Sequence, residues 1–117
     1  MIPKTIIQTY STGNLPQAML KATESWKHLN PDYNYVFFDD KMCRNFIKEN
    51  FNKGVVKSFD CLLPGAFKAD LFRYCYLYIN GGVYTDIDNI CMAPLSTIIK
   101  KEDSFISVKD NSFANQG

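Results

Sequence analysis

The sequence predicts an α/β fold: a mostly parallel β-sheet with helices covering both faces. Three observations carry that expectation. Short β-branched and aromatic runs alternate with longer segments of helical periodicity, the signature of strand–helix–strand units. The segments between them carry Pro, Gly, Asn and Asp, the residues that break regular structure for identifiable steric reasons. The 117 residues are 46% hydrophobic and 15% aromatic, enough to build one core and too few residues for two domains.

The elements follow in order. Thr5 to Tyr10 (TIIQTY) reads as a strand, and Ser11 to Asn14 as a polar turn. Pro16 stands where helices favour their start. Met19, Leu20, Ala22, Trp26 and Leu29 recur at helical spacing, giving a helix to about His28 that Asn30-Pro31-Asp32 ends. Tyr33 to Phe38 is the second strand, with Asp39 and Asp40 as helix caps after it. Met42, Phe46, Ile47 and Phe51 mark a second helix that stops near Asn52 to Gly54. A Pro-Gly break falls within Leu62 to Gly65, and Ala66 to Ile79 is the longest helical pattern, ended by Asn80, Gly81 and Gly82. Val83 to Thr85 is the third strand, Pro94 opens a short helix to about Lys100, and Ser104 to Val108 is the fourth strand.

Charge excludes several function classes. Thirteen Lys and Arg against 12 Asp and Glu leave no electrostatic footprint for nucleic acid. No apolar run approaches the roughly 20 residues of a membrane span, and the first residues lack the apolar core of a secretion signal. Cys43, Cys61, Cys75 and Cys91 are widely spaced and distant from the lone His28, which argues against zinc. Reduced thiols and a cytoplasmic location are the expectation.

The chemistry concentrates in GGVYTDIDN, residues 81–89. Asp86 and Asp88 flank an apolar Ile87 just past the third strand. Carboxylates at the carboxyl end of a parallel sheet lie where ligands collect in such folds. At alternate positions they are expected to leave the strand on the same side, where Mg²⁺ or Mn²⁺ could bind with a diphosphate completing its shell. A solvated turn is the competing reading. On the preceding helix Asp70 and Arg73 share one face by their spacing. That helix is apolar or aromatic nearly all round and is expected to be largely buried, so a charged pair on it is unusual.

ADLFRYCYLYINGGVYTDID (residues 69–88) resembles the hallmark of the glycosyltransferases with a D-x-D sugar-binding region. This is the family of the yeast-type α-1,6-mannosyltransferases, related to the glucosylating domains of large clostridial toxins. IPKTIIQTY (2–10) and NPDYNYVFFDD (30–40) resemble two further blocks of that family, in the same order. The resemblance implies a GT-A-type, Rossmann-like, nucleotide-sugar-binding domain over residues 1–117. It implies that Asp86 and Asp88 hold Mn²⁺ or Mg²⁺ and the diphosphate, and that Asp70 and Arg73 bind hydroxyls of the donor sugar. It places Gln8, Thr9 and Tyr10 where relatives hold the nucleotide, and Tyr84 beside it, although core aromatics fit Tyr10 and Tyr84 equally well. Ile7 stands where the family has His, and Tyr10 where it has Trp.

The implied activity is metal-dependent, retaining transfer of a sugar from a UDP- or GDP-sugar to a glycan or other hydroxyl acceptor. Only 29 residues follow Asp88 (117 minus 88), so the chain reads as the donor-binding half, either truncated at the C-terminus or minimal. Three rival readings compete with it. A D-x-D phosphohydrolase of the haloacid dehalogenase type needs its Asp pair after the first strand. An EF-hand starting at Asp86 would need an oxygen ligand at Ile90 and Gly at Cys91. A non-catalytic donor-binding or structural module remains the alternative.

Overall fold

The computed structural model describes residues 2–62, 66–97 and 106–108. Four strands, β1 (Thr5–Thr9), β2 (Asn34–Phe38), β3 (Val83–Thr85) and β4 (Ile106–Val108), form one sheet in the order β2-β1-β3-β4. Every strand pair is parallel, with Ile6 opposite Val83 and Ile7 opposite Tyr84 at the centre. The helices are α1 (Gln17–Leu29), α2 (Asp40–Asn50), α3 (Lys53–Cys61) and α4 (Ala66–Asn80).

Strand alternation sends neighbouring residues to opposite faces. Ile6 and Val83 join Trp26 of α1 in one apolar cluster, with Tyr35 packed against it. Ile7 and Tyr84 join Ile47 of α2, Phe59 of α3 and Phe72 of α4 in the other. Helices therefore cover both faces, as the alternating pattern predicts. Phe59 and Phe72 are each at most 2% exposed, and burying such a ring contributes about 1.5–3 kcal/mol.

Local chemistry sets the boundaries. Pro16 precedes α1, and its carbonyl accepts the Leu20 N–H at 3.0 Å. Asp39 alone caps α2, accepting the Met42 N–H at 2.8 Å, while Asp40 is the first helical residue. Helix α2 stops within two residues of the expected Asn52 to Gly54, but a further helix that the sequence expectation did not include, α3, starts there. Asn52 is its N-cap, accepting the Val55 N–H at 3.1 Å. A second correction concerns α4: it is not buried all round. Phe72, Arg73, Cys75 and Tyr76 face inward, but Phe67, Tyr74 and Tyr78 are 57%, 64% and 82% exposed.

Gly81 and Gly82, at φ 70° and 117°, carry α4 into β3. The last expected helix appears as one 3-10 turn, Leu95–Thr97. The Pro-Gly break proper, residues 98–100 of that helix, and Ser104 and Phe105 of the last strand lie outside the described residues.

The strand order has a consequence for ligand binding. From β1 the chain moves to β2 on one side, then returns through α2, α3 and α4 to β3 on the other. The carboxyl ends of β1 and β3 thus border the crevice where strand order reverses, the position at which open α/β sheets bind ligands.

Candidate functional site

Strand β3 ends at Thr85, and the next four residues form a tight turn rather than a continued strand. The Asn89 N–H donates to the Asp86 carbonyl at 3.1 Å, closing it. Asp86 and Asp88 are therefore the first and third residues of a β-turn, and the expectation that strand alternation aligns them is corrected. Ile87 between them is only 9% exposed and pins the turn to the core, while Asp88 is exposed and Asp86 half-buried.

Hydrogen bonds from distant elements hold this turn. Asn89 donates from its amide nitrogen to Thr85 Oγ1 at 3.1 Å, and its carbonyl accepts from Trp26 Nε1 at 2.9 Å. Gln8, fully buried at the end of β1, donates from Nε2 to the Asp86 carbonyl at 2.9 Å. The Tyr35 hydroxyl on β2 donates to Gln8 Oε1 at 2.6 Å. Just beyond, Ser25 Oγ accepts the Cys91 N–H at 2.8 Å and Asn30 Oδ1 accepts the Leu95 N–H at 2.7 Å. Sequence reasoning missed Tyr35, Trp26, Asn30, Ser25 and Asn89 as supports. The available signal was a set of polar groups placed among apolar positions.

Arg73 and Tyr84 meet on the α4 side of the sheet. The Arg73 guanidinium lies 5.7 Å from the Tyr84 ring centroid and 4.9 Å from that of Tyr74. Its Nη2 is 3.4 Å from Asp70 Oδ1, longer than a good hydrogen bond. The pair is not buried as a unit: the Arg73 side chain is 5% exposed and that of Asp70 57%. The Tyr84 hydroxyl exchanges a 2.8 Å hydrogen bond with Thr9 Oγ1. Burial, and then the charge of Asp86, raise the Tyr84 pKa; the Thr9 hydrogen bond and the Arg73 charge oppose the rise. One phenol thus lies within electrostatic reach of both Asp86 and Arg73.

The structure places Gln8, Thr9, Tyr84, Asp86 and Asp88 at the carboxyl ends of β1 and β3, with Arg73 against the Tyr84 ring. Tyr10 follows β1, half-buried, its N–H donating to the Phe38 carbonyl at 3.2 Å. Asp70 sits at the exposed outer side of Arg73. Tyr84, at 2% exposure, is a core aromatic with its hydroxyl engaged. Among the described residues no group of three or more His, Cys, Asp and Glu side chains converges. The donors offered by Asp86 and Asp88 are hard carboxylate oxygens. That set fits Mg²⁺ or Mn²⁺ bound by one or two carboxylates and completed by phosphate oxygens.

A parallel α/β sheet carrying an Asp-x-Asp turn at its reversal crevice defines a class, and comparison with known proteins supplies the family. The chain belongs to the glycosyltransferases with a sugar-binding region containing a DXD motif, whose family model matches residues 16–105. It is 34% identical over 116 residues to an initiation-specific alpha-1,6-mannosyltransferase of Candida albicans, covering 94% of this chain and 30% of that protein. It is 37% identical over 99 residues to inositol phosphoceramide mannosyltransferase 2 of Schizosaccharomyces pombe, covering 85% of this chain and 28% of the relative. An uncharacterized glycosyltransferase of Acanthamoeba polyphaga mimivirus is 33% identical over 118 residues, covering 98% of this chain and 47% of the viral protein. The chain thus spans between about a quarter and a half of the length of these relatives. No solved structure matches it significantly.

The relatives correct the cytoplasmic expectation. The yeast proteins among them are named as mannosyltransferases, which overturns that expectation. The expectation rested on finding neither a leader nor a membrane anchor in these 117 residues, and a chain matching under a third of these yeast proteins does not report on either. Among the described residues no helix is long and apolar enough to cross a membrane. The four cysteines are free thiols, three buried and Cys61 exposed.

Proposed function

We propose that the chain is the donor-binding half of a metal-dependent, retaining glycosyltransferase of GT-A type. It would move a hexose from a UDP- or GDP-sugar to a glycan or other hydroxyl acceptor. The observation that carries this reading is the Asp86–Asp88 turn at the carboxyl end of β3, beside the crevice between β1 and β3, with the buried Arg73 against the ring of Tyr84 on the same strand. The names of the relatives favour mannosyl transfer.

Each residue then has a physical task. Asp86 and Asp88 would hold Mn²⁺ or Mg²⁺, which when bound offsets the charge on the departing diphosphate. Arg73, buried beside the crevice, donates hydrogen bonds to oxygens of the donor sugar, and Asp70 accepts from sugar hydroxyls. Fixing the ring in this way removes orientational entropy from the barrier. The bond from the anomeric carbon to the diphosphate oxygen would break as the acceptor oxygen bonds that carbon and passes its proton to the departing diphosphate. Attack from the face the diphosphate leaves retains configuration without a protein nucleophile. Thr9 and Tyr10, at the end of β1, border the nucleotide. A phosphohydrolase reading is weaker, because its Asp pair follows the first strand and leaves Arg73 without a task.

Calorimetry with UDP- and GDP-sugars tests the proposal. Wild type should bind one of them only with Mn²⁺ or Mg²⁺ present, and Asp88→Asn should bind at least about tenfold more weakly through loss of one charged ligand. Donor binding in EDTA, or an Asp88→Asn variant of unchanged affinity, would falsify the assignment. Donor hydrolysis by wild type separates an enzyme from a non-catalytic binding module.

A further inference from the structure

Gln8 is a polar side chain with no exposure, at the carboxyl end of the central strand β1. Burying an amide there is costly unless both its ends are hydrogen-bonded. Both are: Oε1 accepts from Tyr35 Oη at 2.6 Å and Nε2 donates to the Asp86 carbonyl at 2.9 Å. The chain Tyr35–Gln8–Asp86 spans three adjacent strands, from a tyrosine near the start of β2 across β1 to the residue after β3, and terminates on the backbone of the Asp-x-Asp turn.

We propose that Gln8 and Tyr35 are positioning residues that lock the Asp86–Asn89 turn and so set its affinity for the divalent cation, rather than residues that touch the nucleotide. This rests on the donor-binding reading above and deepens it.

The geometry gives the reason. The Asp86 carbonyl accepts two hydrogen bonds, from Gln8 Nε2 and from the Asn89 N–H at 3.1 Å. Together they fix the Asp86–Ile87 peptide plane, and with it the directions in which the two carboxylates leave the backbone. A site with two protein carboxylates binds well only when they are held ready, since each disordered ligand must be immobilised on binding. The sense of the Gln8 amide matters as well. An amide turned about would point oxygen at oxygen, and the Tyr35 hydroxyl prevents that by donating to Oε1. Burial, followed by the charge of Glu24, raises the Tyr35 pKa, so the hydroxyl keeps its proton and remains a donor. Trp26 holds the far end of the turn through the Asn89 carbonyl, and Gln8 supports its near end through the Asp86 carbonyl.

Two variants isolate the device. Gln8→Met keeps length and apolar bulk and removes both hydrogen bonds; Tyr35→Phe removes one hydroxyl from a half-buried residue and spares the fold. The readouts are apparent Mn²⁺ affinity in the presence of UDP, then of GDP, and amide hydrogen exchange along the chain. Each variant should weaken Mn²⁺ binding about three- to tenfold, the worth of one hydrogen bond. The double variant should be no weaker than Gln8→Met alone, because both act through the same carbonyl. Exchange at the amides of residues 87–89 should quicken by a similar factor while α4 keeps its protection. Wild-type turn exchange in both variants, uniform acceleration in every element, or unchanged Mn²⁺ affinity where wild type binds would overturn the proposal. If wild type shows no Mn²⁺-dependent binding of either nucleotide, the donor reading fails by itself, and the exchange pattern alone decides whether the clamp exists.

Discussion

Arg73 is a guanidinium with 5% side-chain exposure whose ionic partner, Asp70, is 57% exposed. A pair so divided is a poor stabiliser. The buried member bears the desolvation cost, while the hydrated member, 3.4 Å away, returns little of it. The rings of Tyr74 and Tyr84 offset part of that cost. Stability therefore gives no reason to keep a charge here, whereas an anionic or hydroxyl-rich ligand does. Arg73→Met, which fills the volume with apolar atoms, should fold with equal or higher thermal stability. Asp70 stays in water, so no buried carboxylate is orphaned. The same variant should keep its affinity for the bare nucleoside diphosphate and lose roughly ten- to a hundredfold for the intact nucleotide sugar, the worth of a charge-assisted hydrogen bond. Thermal melts and calorimetry on both ligands check this. A large drop in stability, or equal loss for both ligands, would assign Arg73 to the fold instead of the sugar.

Among the elements, those with long runs of regular periodicity were legible in the sequence. β1, α1, β2, α2 and the span of α4 lie where the pattern puts them, to within a residue or two. Helix α3 was hidden because Asn52 and Gly54 serve equally as a helix stop and a helix start. Only the later Val55, Val56 and Phe59 decide between them, by packing against the core that α2 and α4 share. The exposed face of α4 was illegible for the opposite reason. Tyr74 and Tyr78 are aromatic, and aromatic character alone does not say which side of a helix meets the core. The Gly81-Gly82 link was legible and is decisive for the site. Gly82 has φ 117°, and a Cβ there would lie 2.9 Å from Ile7 Cδ1 and 3.1 Å from the Thr5 carbonyl oxygen. Gly82→Ala should therefore destabilise by at least about 1–3 kcal/mol, from backbone strain alone. Because the link sets where β3 enters the sheet, metal-dependent binding should weaken with it. Urea denaturation measures the first effect; an unchanged midpoint would show that the link can relax.

At the scale of the molecule, the site is where two apolar cores and one strand reversal meet. The sequence made its charged residues visible, since Asp86, Asp88 and Arg73 stand out beside a strand and on an apolar helix. It left their supports invisible, because Trp26–Asn89 and Tyr35–Gln8 are joined over sequence separations of 63 and 27 residues. The same burial that makes those supports firm gives the protein a defined alkaline limit. Tyr35 lies on the α1 face, Tyr76 and Tyr84 on the other, and burial raises the pKa of all three above the ordinary value of 10.0. Burial likewise raises the Cys43 thiol above 9.0. In each case the folded state holds its proton more tightly than the unfolded chain does. The stabilisation is complete below the unfolded pKa and is lost as pH climbs from there toward the folded one. Unfolding free energy should therefore begin to fall near pH 9, where Cys43 would ionise in the unfolded chain, and fall more steeply above pH 10. Tyrosinate absorbance and far-ultraviolet circular dichroism, followed together through an alkaline titration, measure this. The buried phenols should ionise only as the dichroism collapses. Tyr84→Phe assigns the step: it should remove absorbance from that late phase and leave any earlier phase intact. It should also cost about 1–2 kcal/mol at neutral pH, because Thr9 loses its partner. With Tyr84 enclosed rather than facing a ligand, nucleotide affinity in this variant should be little changed. Ionisation of Tyr84 while the dichroism is intact would mean that solvent reaches the hydroxyl and that the β1–β3 crevice opens at Thr9 in the folded protein.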